Sequence, residues 1–168
     1  SHHTAGMLVH FETDSRIIAA RWQLRNAEAL AMDHMPANGV SGLDLYFRHK
    51  SLGWRFLGVG RVNEADQTSQ LVSMTERQMR SCRLHLPLYN GLKKLEIGVE
   101  EDATFRPIPP RAEPPIVYYG TSITQGGCAS RPGMAYTNIV ARRIDRPAVN
   151  LGFSGNGRMD PEVIDLVC

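Results

Sequence analysis

The first part of the chain alternates between apolar and polar positions, with the two-residue period of a half-buried β-strand. Between Ile18 and Leu24, apolar side chains at every second position are separated by mostly polar ones, so one face of a strand can be buried. Turn signals such as Asn38-Gly39 and Asn90-Gly91 divide such segments. No long helical period appears in this part, and we predict an antiparallel β-sandwich, jelly-roll-like, over residues 1–105. The other predicted strands are 43–48, 54–59, 83–88 and 92–99.

A proline-rich segment follows at residues 106–115, where five of ten residues are proline. Proline fixes φ and has no backbone N–H to donate. We therefore expect this segment to stay out of any sheet or helix and to act as an extended linker between two domains.

After the linker, the pattern changes to strand, loop, helix, strand, loop and helix. This order is typical of a parallel α/β sheet. Two strands cannot complete such a sheet, because their faces and edges need covering, so residues 116–168 look like the incomplete N-terminal portion of an α/β domain. The predicted elements are strands at 116–119 and 148–151, and helices from Pro132 to Asp145 and from Glu162 to Val167. In the first helix, Met134, Ile139 and Ile144 are the candidate buried positions.

Composition narrows the possible classes of protein. Of the 168 residues, 42% are hydrophobic and 21% are charged, which is ordinary for a globular protein. A formal net charge of +2 gives no electrostatic reason to expect nucleic acid as a partner. No apolar run is long enough to span a membrane. The amino terminus lacks the apolar core of a signal peptide, and location and oligomeric state stay open.

The cysteines and the first histidines carry no clear metal pattern. Cys82, Cys128 and Cys168 have no zinc-type spacing, so we predict free thiols, no metal and no organic cofactor. His2 and His3 fit a metal-binding pair, a tag remnant or an unremarkable exposed start, and we favour the exposed start.

The candidate chemistry lies in the loops that follow the two strands of the second part. Ligands of open α/β sheets gather at the carboxyl ends of the strands, and Ser122 comes just after the first strand. Glycines at 120, 126 and 127 permit close backbone approach. Backbone N–H groups in such a loop can stabilise the oxyanion of an acyl-transfer reaction. The alternative is that Ser122 only caps a turn or helix.

The loops resemble two sequence blocks of the SGNH/GDSL hydrolases. Residues 120–126, with the sequence Gly-Thr-Ser-Ile-Thr-Gln-Gly, resemble the first block, and residues 150–155 resemble the second. Ser122 in the first block and Gly155 in the second are 33 positions apart, a spacing that suits the family. The resemblance implies a flavodoxin-like α/β domain. It also implies Ser122 as nucleophile and first oxyanion donor, with Gly155 as second donor. Thr121 stands where the family usually has aspartate.

Two further segments strengthen the resemblance. Residues 41–46, Ser-Gly-Leu-Asp-Leu-Tyr, resemble the G-x-D-L-Y signature of a sandwich module that precedes one bacterial branch of the family. Residues 127–136 also resemble that branch. The resemblance therefore covers nearly the whole chain.

A serine nucleophile needs a base, usually histidine, and all six histidines precede the linker. The resemblance implies that the third oxyanion donor, an asparagine, and an Asp-x-x-His motif lie beyond residue 168. We expect these 168 residues alone to be nearly inactive. A base supplied across the domains by His85 or His49 is the least favoured arrangement.

Several other residues carry open interpretations. Thr121, Arg131 and Asn156 are candidate substrate-binding residues, although Arg131 equally fits a solvated helix start. Asp44 fits a turn anchor in the sandwich better than a residue reaching toward the active site. Trp22 and Trp54 fit the core better than a sugar-stacking platform.

Two functions from different classes follow. The favoured function is an ester hydrolase that acts on a small acyl ester, such as acetyl groups on a carbohydrate. The prediction of this substrate rests on analogy with sandwich-containing esterases. The other is a non-catalytic module that binds a carbohydrate or partner, with an inactive α/β remnant.

Overall fold

The structure, a computed structural model, describes residues 2–165 and residue 167. The first part is built from antiparallel strands with one short helix, α1 (Ala37–Ser41). The strands are β1 (Leu8–Thr13), β2 (Ile17–Leu24), β3 (Leu43–His49), β4 (Gly53–Gly60), β5 (Asp66–Ser73), β6 (Arg80–His85), β7 (Leu92–Val99) and β8 (Phe105–Pro107).

These strands form two sheets packed face to face. One sheet has five strands in the order β4-β3-β6-β1-β8, and the other has three in the order β5-β2-β7. Every pairing in both sheets is antiparallel. The core lies between the sheets, where Phe11, Leu45 and Leu84 of the larger sheet face Ile18 and Trp22 of the smaller one. The predicted β-sandwich is confirmed.

Strand β2 shows how the alternating pattern produces this core. Its side chains at positions 18, 20, 22 and 24 are buried, whereas those between them are half-buried or exposed. Trp22 is fully buried, and its indole N–H donates to the Ser41 carbonyl at 3.3 Å. Its predicted place in the core is confirmed, and the hydrogen bond removes the cost of burying the polar N–H.

The structure adds elements that the alternation did not predict. Strand β5 has a mostly polar sequence and lies at a sheet edge, where few of its side chains need to be apolar. Helix α1 covers Asn38-Gly39, where we predicted a turn. Strand β6 ends at His85 and not at Leu88. Leu86 still packs in the sandwich core, whereas Leu88 is fully buried in the cluster shared with the second part of the chain.

The expectation that the proline-rich segment avoids every sheet is wrong at its start. Arg106 and Pro107 belong to β8, which pairs with β1. Since β8 is an edge strand, a proline there leaves no sheet hydrogen bond unmade on the open side.

The second part contains two parallel strands, β9 (Ile116–Gly120) and β10 (Ala148–Gly152), paired in register from Ile116 with Ala148. The connection between them contains helix α2 (Ser122–Gln125), a 3-10 turn (Pro132–Met134) and helix α3 (Tyr136–Ile144). Helix α4 (Pro161–Ile164) follows β10. This is the predicted opening of an α/β sheet. Leu166 and Cys168 lie outside the described residues.

The helix predicted from Pro132 to Asp145 is divided, and its buried face differs from the prediction. Ala135 has extended backbone angles between the 3-10 turn and α3. Met134 and Ile144 are 39% and 50% exposed, so both were predicted wrongly. The buried side chains are small or polar: Thr137, Asn138 and Ala141. This face lies against the sandwich and β10, where small side chains allow close approach.

The two parts of the chain pack closely against each other. A second apolar cluster joins Met35, Val40 and Leu88 of the first part to Ala135 of the second. A Cβ atom on Gly39 would lie 2.1 Å from the Ala129 carbonyl oxygen, so only glycine fits this contact. Among the described residues, no helix is long and apolar enough to cross a membrane.

Candidate active site

Ser122 is the first residue of α2, directly after β9. The chain turns sharply here, and the Gly126 and Gly127 amides both donate to the Ser122 carbonyl, at 3.1 and 2.7 Å. Gly126 has a φ of +121°, which glycine adopts without strain. Because the first N–H groups of a helix have no partner within it, the Ser122 amide is suited to bind an anionic oxygen.

The loop after β10 lies beside Ser122. Phe153 N–H donates to the Gly120 carbonyl at 2.8 Å, which joins the two loops at the carboxyl ends of their strands. Gly155 follows at an exposed position with a φ of +72°. No atom lies within 4 Å of the place that a Gly155 Cβ would occupy. The sequence blocks that suggested Ser122 and Gly155 are therefore neighbours in space.

Gln125 connects these loops to the sandwich. Its side chain is buried, and its amide nitrogen donates to the Leu88 carbonyl at 3.0 Å. Its side-chain oxygen accepts from the Ser154 N–H at 3.0 Å. Gln125 therefore fixes α2 and the loop before Gly155 at once, a role that sequence reasoning missed because both partners are distant in the chain.

A cavity of about 510 Å³ opens beside Ser122, and the first part of the chain supplies much of its wall. Met32, His34 and Tyr89 line it together with Ser122 and Ser154. The Tyr89 hydroxyl donates to the Ser122 carbonyl at 3.0 Å. The sandwich thus shapes the surroundings of Ser122 and supports the turn that presents it.

Two histidines of the first part of the chain, His3 and His34, line the cavity beside Ser122. His3 is exposed but lines this cavity, with its Nδ1 2.8 Å from the Gln125 amide nitrogen. The expected exposed position of His3 is confirmed, and the structure adds that the side chain lines the cavity. Partial desolvation of the ring lowers the His3 pKa. His85 and His49 are not among the cavity-lining residues.

Arg131 lies between the two parts of the chain and not in the Ser122 cavity. Its Nε is 3.2 Å from the Asp44 carboxylate, and its guanidinium lies 4.4 Å from the centre of the Phe56 ring. Arg131 stands at the start of the 3-10 turn, as one interpretation had it, but its side chain is paired with Asp44 and only partly exposed. Thr121 and Asn156 are exposed and do not line the cavity either. Each lies beside it in the two loops.

Asp44 anchors the second part of the chain and not a turn of the sandwich. Its fully buried carboxylate accepts from the Gly133 N–H at 2.9 Å and pairs with Arg131. Trp54 also belongs to this junction, since its indole N–H donates to Asp145 at 2.9 Å and its ring packs against Arg83. The G-x-D-L-Y motif therefore joins the two domains.

Comparison with known proteins agrees with this two-part arrangement. A family model described as the N-terminus of SGNH-hydro-type esterases matches residues 1–105. The model of the GDSL-like lipase/acylhydrolase family matches residues 113–168. The chain belongs to this SGNH/GDSL family. No curated protein matches it.

Solved structures extend the likeness of this GDSL-like chain. A Bacteroides ovatus protein described as a GDSL-like lipase is 39% identical, with a TM-score of 0.90, over 97% of this chain and 48% of its own. The salicylyl-acyltransferase SsfX3 of a tetracycline biosynthetic pathway is 18% identical, with a TM-score of 0.71, over 98% and 44%. A family two carbohydrate esterase from Clostridium thermocellum, in complex with cellohexaose, is 17% identical, with a TM-score of 0.56, over 96% and 51%. The last two share the fold, and the GDSL-like chain spans about half the length of each structure.

Asp44 gives the GDSL-like chain a testable pH dependence. Burial raises its pKa from 3.8 to about 6, against the opposing effects of Arg131 and the Gly133 N–H. The folded state then binds this proton more tightly than the unfolded state does. We expect the contribution of this carboxyl to the free energy of unfolding to decrease by about 2–3 kcal/mol as pH rises from about 4 to about 6.

Urea unfolding across this pH range should show the effect as a difference between wild type and Asp44→Asn. The exposed loop variant Asp33→Asn serves as the control and should follow the wild-type curve. A stability difference between wild type and Asp44→Asn that stays constant from pH 4 to 7 would contradict the assignment.

Proposed function

We propose that this chain contributes the nucleophile, Ser122, of a serine ester hydrolase that acts on small acyl esters. The observation that carries the proposal is the placement of Ser122 in the first turn of α2, open to a cavity and beside the loop that holds Gly155. Acyl transfer requires a nucleophile close to donors that can stabilise the oxyanion, and backbone N–H groups of the two loops can serve as such donors.

In this mechanism, Ser122 Oγ attacks the ester carbonyl and its proton passes to a histidine base. The Ser122 and Gly155 N–H groups stabilise the tetrahedral oxyanion. Collapse releases the alcohol, which takes the proton, and leaves an acyl-enzyme that water hydrolyses to the acid. The family resemblance assigns the base and the asparagine donor to a segment outside residues 1–168, so hydrolysis is proposed for the protein in its longest natural form.

The substrate class to test first is acetyl groups on a carbohydrate. Support comes from the fold shared with a carbohydrate esterase and from the wide Ser122 cavity, which has Tyr89, Met32 and His34 as wall residues. The accessible part of the Tyr89 ring adds an aromatic edge to this wall. Because another similar structure is an acyltransferase, assays should also include an alcohol acceptor in place of water.

A serine-reactive fluorophosphonate probe on the longest natural form tests the assignment of the nucleophile. We expect wild-type protein to be labelled and Ser122→Ala to remain unlabelled. Ser154→Ala is the matched control, since Ser154 lines the same cavity, and it should be labelled like wild type. Labelling that persists in Ser122→Ala would contradict the assignment of Ser122 as the nucleophile.

Gln125→Ala should reduce catalysis without removing any reacting group. The variant leaves the Ser154 N–H and the Leu88 carbonyl without their partner, so the loop that carries Gly155 loses its fixed position. We expect kcat to fall by about ten- to a hundredfold, with a smaller change in KM.

Steady-state kinetics with an aryl acetate would measure this split between kcat and KM. Gln23→Ala is a suitable control, because Gln23 lies on the sandwich strand β2 far along the chain from either loop. Wild-type kcat in a folded Gln125→Ala variant would show that Gln125 does not position the oxyanion loop.

A further inference from the structure

The amino-terminal segment, residues 2–7, lies between the two parts of the chain. Thr4 is buried, and its hydroxyl donates to the Pro87 carbonyl at 2.8 Å. Gly6 lies against β10, since a Cβ atom on this glycine would be 2.4 Å from the Asn150 Cβ. These contacts fix the segment against both domains, although the proposed mechanism uses none of its residues.

His3 belongs to this segment, lines the cavity beside Ser122 and contacts Gln125. Its Nδ1 lies 2.8 Å from the nitrogen of the Gln125 side chain. The orientation of that amide is fixed by its other partners, since its nitrogen also donates to the Leu88 carbonyl and its oxygen accepts from the Ser154 N–H. An amide nitrogen can only donate, so Nδ1 accepts this hydrogen bond. The neutral ring therefore carries its proton on Nε2.

The two N–H groups of the Gln125 amide thus have the Leu88 carbonyl and His3 as acceptors. Without His3, one N–H group of a buried side chain would lose its acceptor, which disfavours the observed orientation of the amide. We propose that neutral His3 is a positioning residue, which holds the Gln125 amide in the orientation that fixes the loop carrying Gly155. The inference rests on the proposed function, in which the Gly155 N–H stabilises the oxyanion.

Only the neutral form of His3 can accept this hydrogen bond, because the imidazolium carries N–H groups on both nitrogens. Partial desolvation lowers the His3 pKa from 6.5, and no Asp or Glu of the described residues lines the cavity to stabilise a positive charge. The other titratable side chains nearby are those of His2, the next residue in the chain, and of His34, Tyr89 and Cys128 in the cavity wall. The accepting form therefore predominates near neutral pH and is lost on acidification.

Steady-state kinetics of His3→Leu in the longest natural form, with an aryl acetate, tests this inference. We expect kcat to fall by about five- to tenfold and KM to change by less than about twofold, because leucine removes the acceptor but no group that touches the ester. His3→Asn should restore kcat to within about twofold of wild type, since the asparagine side-chain oxygen can take the place of Nδ1. His2→Leu is the matched control, because His2 is exposed and does not line the cavity, and it should behave like wild type. A raised KM with unchanged kcat in His3→Leu, or an asparagine variant as slow as the leucine variant, would overturn the inference.

The pH dependence of kcat provides a second measurement. The ratio of the wild-type kcat to the His3→Asn kcat should decrease by about twofold or more from about pH 7 to about pH 4.5, because histidine loses its acceptor on protonation and asparagine does not. The catalytic base titrates in both proteins, so its effect cancels in the ratio. A ratio that stays constant over this range would overturn the inference.

Hydrogen exchange separates this inference from the proposed function, because it requires no catalysis. The Ser154 N–H should exchange about fivefold faster or more in His3→Leu than in wild type, and His3→Asn should restore the slower exchange. Unchanged exchange at Ser154 in His3→Leu would overturn the inference, whatever the activity of the protein. Persistent probe labelling of Ser122→Ala would instead overturn the proposed function.

Discussion

Ser122→Ala is expected to lower kcat for an aryl acetate by about 10⁴- to 10⁶-fold in the longest natural form of the protein. Removal of the nucleophile in other serine hydrolases has effects of this size, because the remaining site binds and polarises the ester but cannot form the acyl-enzyme. A small residual rate is expected from the proposed oxyanion donors, which are backbone N–H groups and remain in the variant. Initial rates with nitrophenyl acetate would measure this fall in kcat.

The fold of the variant should be unchanged, since no described hydrogen bond depends on the Ser122 hydroxyl and the carbonyl that Tyr89 contacts is retained. Ser154→Ala should stay within about threefold of wild type, because Ser154 is exposed, no described hydrogen bond uses its hydroxyl, and its N–H, which Gln125 holds, remains in the variant. A Ser122→Ala rate within tenfold of wild type would mean that another group attacks the ester.

Gly152→Ala is expected to reduce the free energy of unfolding by about 3 kcal/mol or more. A Cβ at this position would lie 2.0 Å from the Gln125 nitrogen and 2.4 Å from its Cα. Both are backbone atoms of α2, so no side chain can rotate away to make room. The helix that presents Ser122 rests directly on β10 here, and the variant should therefore lose both stability and probe labelling. Urea unfolding monitored by circular dichroism would measure the loss.

Two other glycines provide controls for this clash. Gly98→Ala, in β7, places its Cβ 3.8 Å from the nearest atom, an ordinary contact, and should change stability by less than about 1 kcal/mol. Gly155→Ala meets no atom within 4 Å, but its φ of +72° is unfavourable for alanine, so a loss of about 1–2 kcal/mol is expected. Equal losses at Gly152 and Gly98 would contradict the close packing of α2 on β10.

The strands of the sandwich were predictable where one buried face requires apolar residues at every second position. They were not predictable where few side chains of a strand are buried. Strand β2 is covered on one face along its whole length, and its apolar positions showed the strand in the sequence. Strand β5 is an edge strand with few buried side chains, so hydrogen bonding to β2 defines it without any apolar pattern. In α3, the apolar residues misled the prediction, because the side chains that face the sandwich are small or polar.

The candidate site was predictable only where function requires a local motif. Ser122, Gly155 and the glycines beside them have fixed spacing because the turn geometry is local. Gln125 and Tyr89 act through partners far away in the chain, and no local spacing marks such contacts. Arg131 could not be assigned from sequence either, since its carboxylate partner, Asp44, lies 87 positions away.

The contacts of Tyr89 and Gln125 across the junction constrain how such proteins can be recombined. A chimera made by exchanging the sandwich at the proline-rich segment would bring a foreign surface against the turn that presents Ser122 and the loop that holds Gly155. Unless the incoming module carried matching residues at both points, the proposed catalytic residues would be misaligned. We therefore expect the sandwich and the α/β segment to be inherited together, and they should be exchanged together in engineered proteins.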